Sequence, residues 1–343
     1  MPAPYSKRAR LTWLVLALGA CSDARAGSVG QAAQDDSAGG WKIATIADFN
    51  ADGLGDVLWS DPVRGRIAVF LLRGTSLIEA GPAIPGPAGR GWAAVTALDF
   101  NLDAMADVPW FDAARNRAAV WLMRGTHLAE PGREIAGPPG EGWVLSYSGD
   151  FNGDGMADLI WHDADNGRFV IYLMRGTQVI EVGPQTPGPP GDGWIVPTTG
   201  DFNLDGMFDI VWQNPRTNQM AVWLMRGTEV LERGPAIPGP PGRGWVIPTT
   251  GDFDGDGLAD VLWNDPVTNR MAIWLMAGTH LREPGPEIPG PAGEGWSVGS
   301  AADTNGDGLA DTVWQNTLTD RFSVWLMAGT HVFEAGPEIP GPP

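Results

Sequence analysis

Hydrophobic and polar positions along this chain fall into a block that recurs every 51 residues. In the block opening at Trp245, Trp245-Val246-Ile247-Pro248-Thr249-Thr250 runs into Gly251-Asp252-Phe253 and predicts a first strand. Val261-Leu262-Trp263 is a short apolar second strand, and Asn264 to Asn269 carries turn chemistry. Met271-Ala272-Ile273-Trp274-Leu275-Met276 is an unbroken apolar run, which suits a strand covered on both faces. Ala277-Gly278-Thr279 turns the chain. His280-Leu281-Arg282-Glu283 then reads as a polar outer strand whose charges discourage edge pairing. Four strands in about 50 residues match one blade of a propeller. The link from Gly285 to Gly295 has no strand pattern. Some eight residues of polyproline-like chain reach up to roughly 25 Å, more than the roughly 15 Å that separates an outer strand from the next inner one. The proline-rich link recurs in every unit, so a return path explains it better than a ligand for an SH3-like partner does.

The repeat divides the body into six units, 41–91, 92–142, 143–193, 194–244, 245–295 and 296–343. The expected fold is all-β, a propeller of six four-stranded blades, with an open array as the alternative. The chain starts a first strand and ends after a fourth, so no strand exchange is evident to close a ring. Three aromatic registers mark each unit: Trp41, Trp92, Trp143, Trp194, Trp245 and Trp296; then Trp59, Trp110, Trp161, Trp212, Trp263 and Trp314; then Phe70, Trp121, Tyr172, Trp223, Trp274 and Trp325. Strict recurrence points to blade-to-blade packing, and sugar-stacking platforms are the alternative use of such rings.

Composition alters this picture at two places. Residues 1–26 read as a secretory signal, with Lys7, Arg8 and Arg10 before an apolar run from Leu11 to Ala20 too short to span a bilayer. Leu18-Gly19-Ala20-Cys21 resembles a lipobox, with Cys21 as the candidate lipidation site, and Ala24-Arg25-Ala26 offers ordinary cleavage instead. Residues 27–40 are small and polar, a flexible linker. The expected location is therefore outside the cytoplasm, as an outer-membrane lipoprotein or a secreted or cell-surface protein. Membrane contact arises only through a lipid anchor, if Cys21 is acylated. Cys21 is the single cysteine, so disulfides cannot brace the fold.

The second place is the net charge of −19. Six acidic loops hold three aspartates each plus Asp254, and without them the remaining 22 acids match 22 Lys and Arg. No basic stripe exists to neutralise phosphates, which argues against nucleic acid as a partner.

Each loop reads D-x-[ND]-x-D-[GA]-x-x-D, with oxygen-bearing side chains at positions 1, 3, 5 and 9. Position 7 would offer its carbonyl, as in calcium loops generally. The candidate ligands are Asp48, Asn50, Asp52, Leu54 and Asp56; Asp99, Asn101, Asp103, Met105 and Asp107; and Asp150, Asn152, Asp154, Met156 and Asp158. They continue with Asp201, Asn203, Asp205, Met207 and Asp209; Asp252, Asp254, Asp256, Leu258 and Asp260; and Asp303, Asn305, Asp307, Leu309 and Asp311. Carboxylates packed this closely repel one another unless a counter-ion is present. An all-oxygen set without His or Cys suits calcium, up to six ions, over zinc, copper or iron. The plainer alternative is a series of Asx-turns without metal. Position 12 is Trp rather than Glu, so these are not EF-hands. Extracellular calcium modules bind with constants of about 0.1 to 1 mM. Near millimolar calcium each site then adds about 0.4 to 1.4 kcal/mol.

The sequence D-F-N-x-D-G-x-x-D followed by A-[VI]-W-L-M-x-G-T resembles the FG-GAP or VCBS repeats, relatives of the integrin alpha-chain propeller. The resemblance spans about residues 41–343. It implies a calcium-binding propeller with its loops between the first two strands of each blade. Thr304, which replaces the loop Phe, is a departure. The family implies no single activity, since members adhere, bind carbohydrate or act as scaffolds. The expected function is a non-catalytic, calcium-stabilised binding or adhesion module with a protein or glycan ligand at the cell surface. A lectin is the alternative, and a hydrolase or lyase a more remote one. His127, His280 and His331 share a register in only three units, and His162 is isolated. No nucleophile elbow or repeated acid–base pair appears outside the loops. Ligand choice is expected to follow positions that vary between units, such as Arg90, Glu141, Asp192, Arg243 and Glu294.

The second unit carries Ala104 where the others have Gly, and Pro109 in its second strand. Its loop is expected to fill last in a calorimetric calcium titration. A titration in which the Asp99 loop fills ahead of the others would overturn this.

Overall fold

The computed structural model describes residues 40–89, 91–242 and 244–343. The signal segment, Cys21, nearly all of the 27–40 linker, Arg90 and Arg243 lie outside the described residues. In the first blade, β1 (Lys42–Ala47), β2 (Asp56–Asp61), β3 (Arg66–Arg73) and β4 (Ser76–Ala80) form an antiparallel sheet in that order. A fifth piece, β5 (Ile84–Pro85), pairs with the start of β3. Five more sheets repeat this plan, and no helix occurs among the described residues. The chain is therefore a six-bladed all-β propeller.

The fifth piece corrects the reading of the links. Ile288–Pro289 pairs with Arg270 and Met271, as its counterparts do in every blade. A strand pattern needs several alternating residues, and two residues beside prolines supply none. The outer strand is thus long but interrupted, with Gly81 N–H still donating to Val69 O at 2.9 Å in the gap.

The core lies between blades, not within them. One face of each sheet carries the three aromatic registers. The other carries aliphatic residues such as Leu58, Ile67 and Val69, which pack on Trp92, Trp110 and Trp121 of the next blade. Second strands are covered on both sides, which explains why Asp56–Asp61 is buried at every position. All eighteen aromatic-register residues are buried, and the six rings of the second register have no exposed surface. Packing is therefore their role, and none is free to stack on a sugar. The glycine after the fifth piece is fixed by the same interface in five of the six blades. A Cβ at Gly188 would sit 2.7 Å from Cη2 of Trp212, and Gly86, Gly239, Gly290 and Gly341 meet the next blade's Trp in the same way.

The ring closes through this same interface, with no strand exchanged. Trp41, Trp59 and Phe70 pack against Val313, Phe322 and Val324 of the sixth blade. The Gln315 amide spans the joint, donating to Trp41 O at 2.9 Å and accepting from Ile43 N at 2.8 Å. Trp41 Nε1 donates to Pro343 O at 3.2 Å. Gln213 makes the equivalent clamp from blade four to Trp245 and Ile247 of blade five. Blade two is the irregular one. Pro109 lacks an N–H for the ladder, and the first strand there shortens to Trp92–Ala94, with an isolated bridge from Leu98 to Asp107 beyond it.

His162 holds the register of Gln213 and Gln315 but is fully buried with both ring nitrogens unpartnered. Burial pulls its pKa down to about 4, so it sits there neutral. His162→Gln is expected to supply the missing clamp to blade four and stabilise the protein by about 1 kcal/mol. Urea denaturation of the two proteins tests this, and a lower midpoint for the variant would count against it.

Candidate metal loops

Each acidic loop joins the first strand of its blade to the second. Its shape is dictated by the position-1 aspartate. Asp48 Oδ1 accepts from Ala51 N at 2.7 Å, and Oδ2 from Gly53 N at 2.7 Å. Asn50 Oδ1 then accepts from Asp52 N at 2.9 Å, and Asp52 Oδ1 from Leu54 N at 3.0 Å. These are chained Asx-turns, which gather side-chain oxygens on the inside of the curve. The same bonds form in the loop at Asp99, with Leu102 N and Ala104 N at 2.7 and 2.8 Å.

Two backbone positions per loop are left-handed. Position 6 has φ +80° at Gly53 and φ +65° at Ala104, and the alanine pays the steric cost that glycine avoids. Position 4 is also left-handed, at Ala51, Leu102 and Leu204 as well as at Gly153, Gly255 and Gly306. Glycine in three units was the available signal, and the non-glycine residues in the other three masked it.

The position-9 aspartate behaves differently from the other three. Asp56, Asp107, Asp158, Asp209, Asp260 and Asp311 are fully buried. Asp56 Oδ2 accepts from Phe49 N at 3.0 Å and Oδ1 from Leu72 N at 2.9 Å, tying the loop to the third strand. Burial raises the pKa of Asp56 to about 7. The two N–H donors oppose the rise, and Asp52 and Asp48 add to it. The same causes bring Asp107, Asp158, Asp209 and Asp260 to about 7. Asp311 is raised as well, opposed by the Thr304 hydroxyl that donates to it at 2.6 Å. No Lys or Arg among the described residues pairs with any of these carboxylates.

The loops also join the blades. Asp48 O accepts from Ala106 N at 2.7 Å and Phe49 O from Gly125 N at 2.8 Å, both in the next blade. The pair recurs at every joint, including Gly55 N to Asp303 O and Gly74 N to Thr304 O at 2.6 Å, where blade one meets blade six.

The residues fit a hard divalent cation. In the fifth loop, Asp252, Asp254 and Asp260 each bring an oxygen to within 4.8 Å of the others. The donors are all oxygen, which calcium prefers. In the other five loops an asparagine stands at position 3. The histidines lie elsewhere. His127, His280 and His331 are exposed at the start of outer strands, each with Nδ1 within 3.2 Å of the preceding threonine hydroxyl. Glu141, Asp192 and Glu294 are exposed on the opposite face of the ring, where the neighbouring glycines Gly142, Gly193 and Gly295 abut the ends of the second strands.

A family profile described as FG-GAP-like repeat matches residues 48–110, 150–212, 201–263 and 252–314. No curated protein matches the chain. Among solved structures, the chain is similar to a triple-arginine mutant of AofleA from Arthrobotrys oligospora. The two are 16% identical with a TM-score of 0.55, over 88% of this chain and 90% of that one. It is also similar to a candidate 6-phosphogluconolactonase from Bacteroides uniformis, 11% identical with a TM-score of 0.55, over 87% and 85%. A protein from Lactobacillus plantarum is 14% identical with a TM-score of 0.53, over 87% and 85%. At these identities the likeness is one of fold.

The raised carboxyl groups give the ion-free protein a signed pH dependence. Asp56, Asp107, Asp158, Asp209 and Asp260 titrate near 4 when unfolded and near 7 when folded, and Asp311 is shifted in the same direction. Between those values the folded state holds more protons, so stability falls as pH rises through the window. Urea midpoints measured in chelator from pH 4 to 7 are expected to decline. A midpoint that rises across this range would contradict the burial of these groups.

Proposed function

The chain belongs to the FG-GAP-like repeat family, and from that premise we propose that it is a non-catalytic, calcium-stabilised binding or adhesion module working outside the cytoplasm. One observation carries the reading: the loops with calcium-type donors are also the joints between blades, through twelve backbone hydrogen bonds around the ring. An ion held in such a loop fixes the carbonyls that the next blade grips, so up to six calcium ions would brace the whole ring. The signal-like N-terminus supports export, and Cys21 supports a lipid anchor.

The ligand surface we assign is the face opposite the loops. There the hairpins between second and third strands differ from blade to blade, with Val63, Ala114, Asp165, Arg216, Val267 and Leu318 exposed in one register. The loop face is nearly the same in all six blades, which suits ion capture more than discrimination between ligands. Exposed, varied hairpin tips and the acidic Glu141, Asp192 and Glu294 favour a protein or glycan partner that spans several blades.

Calcium at about 1 mM should stabilise the protein by several kcal/mol in total. The melting temperature is expected to rise by at least about 5 °C over that in chelator. Identical melts in calcium and chelator would refute the reading. A glycan array probed in calcium then separates the partners: chelator-sensitive binding marks a carbohydrate ligand, and a blank array leaves a protein. Turnover of a glycosidase or esterase panel would overturn the non-catalytic part.

A further inference from the structure

The fifth loop is built differently from the other five. In those, the position-3 asparagine turns its amide toward the position-5 aspartate. Asn50 Nδ2 donates to Asp52 Oδ2 at 3.2 Å, and Asn101, Asn152, Asn203 and Asn305 do the same at 2.9 to 3.2 Å. In the fifth loop Asp254 stands at position 3 and has no proton to give. Two carboxylates, Asp254 and Asp256, would face each other unsupported. The Arg282 guanidinium fills that gap, donating to Asp254 Oδ2 and Asp256 Oδ2 from the outer strand His280–Pro284. The register of Arg282 holds Ile78, Ala129, Ile180, Leu231 and Phe333 elsewhere. The extra acid and the extra arginine therefore occur together, in one blade only.

We propose that Arg282 sets the divalent-ion affinity of the fifth loop, as an internal cation that competes for Asp254. The inference rests on the calcium reading of the loops. By carboxylate count alone the fifth loop, with four, would be the tightest of the six. Arg282 cancels that advantage twice over. It engages an oxygen of Asp254, one of the three carboxylates that converge in this loop. It also places a fixed positive charge beside the site. A unit charge about 5 Å from a divalent ion costs on the order of tenfold in affinity even at the dielectric of water.

The test is a calorimetric calcium titration of the full chain, the R282A and D254N variants, and the double variant. In R282A, one dissociation constant is expected to fall about tenfold and become the tightest. In the D254N background Arg282 keeps Asp256 but has lost the carboxylate it competes for, so adding R282A is expected to tighten the same constant by clearly less than in the wild type. This assigns the effect to the fifth loop. If R282A leaves every constant unchanged and only lowers the melting temperature in chelator, Arg282 is a structural ion pair and the inference fails while the calcium reading stands. If neither wild type nor variants bind ions, both fail.

Discussion

Everything in this ring hangs on the contact between one blade's acidic loop and the next blade's backbone. The carbonyls at loop positions 1 and 2 accept from N–H groups of the following blade at each of the six joints. Those carbonyls can be aimed only if the loop is rigid. The loop is rigid because Asp48 and its counterparts fold the backbone around their own carboxylates, and because the buried position-9 aspartate pins it to the third strand. A carboxylate placed there without a counter-ion is costly to ionise. Rigidity and charge are thus in tension at one residue, and under the calcium reading proposed above a bound cation would serve both.

Cyclic closure makes that joint cooperative. In an open array each repeat touches only its neighbours, and the end units fray. Here the sixth blade meets the first with the same aromatic-on-aliphatic packing, the same loop hydrogen bonds and a glutamine clamp. No blade is terminal, so weakening any joint loads the other five. The sixth loop shows how much variation is tolerated. Thr304 gives up the loop phenylalanine that elsewhere fills the next interface, and its hydroxyl is spent on Asp311 instead.

What the sequence disclosed and what it hid divide along one line. The 51-residue period, the strand order, the acidic loops between first and second strands and the doubly covered strands were legible, because each is written within a single unit. The features that escaped depend on partners in another unit or on backbone geometry. Gly188 looks like a turn residue until Trp212 of the next blade is found against it. Gln213 and His162 read as polar residues inside apolar strands, and their difference shows only when the neighbouring first strand is in place. Position 4 of the loops was hidden because Leu102 and Leu204 adopt the left-handed conformation that local rules reserve for glycine. Those leucines reach over Gly155 and Gly257 of the next loop, and this contact between blades helps to hold them there.

The two faces of the ring follow from this division. On the loop face each unit must satisfy its neighbour as well as itself, so a change at one loop disturbs a joint. Deviation there comes with its own compensation, as Arg282 does for Asp254. Hairpin tips on the other face meet no such demand. Val63, Asp165 and Arg216 are exposed residues of one register with quite different chemistry, at the ends of strands whose pairing is unaffected. A repeat locked together at one face is free to diverge at the other. Variation thus collects where the backbone has least to lose, on the face away from the joints between blades.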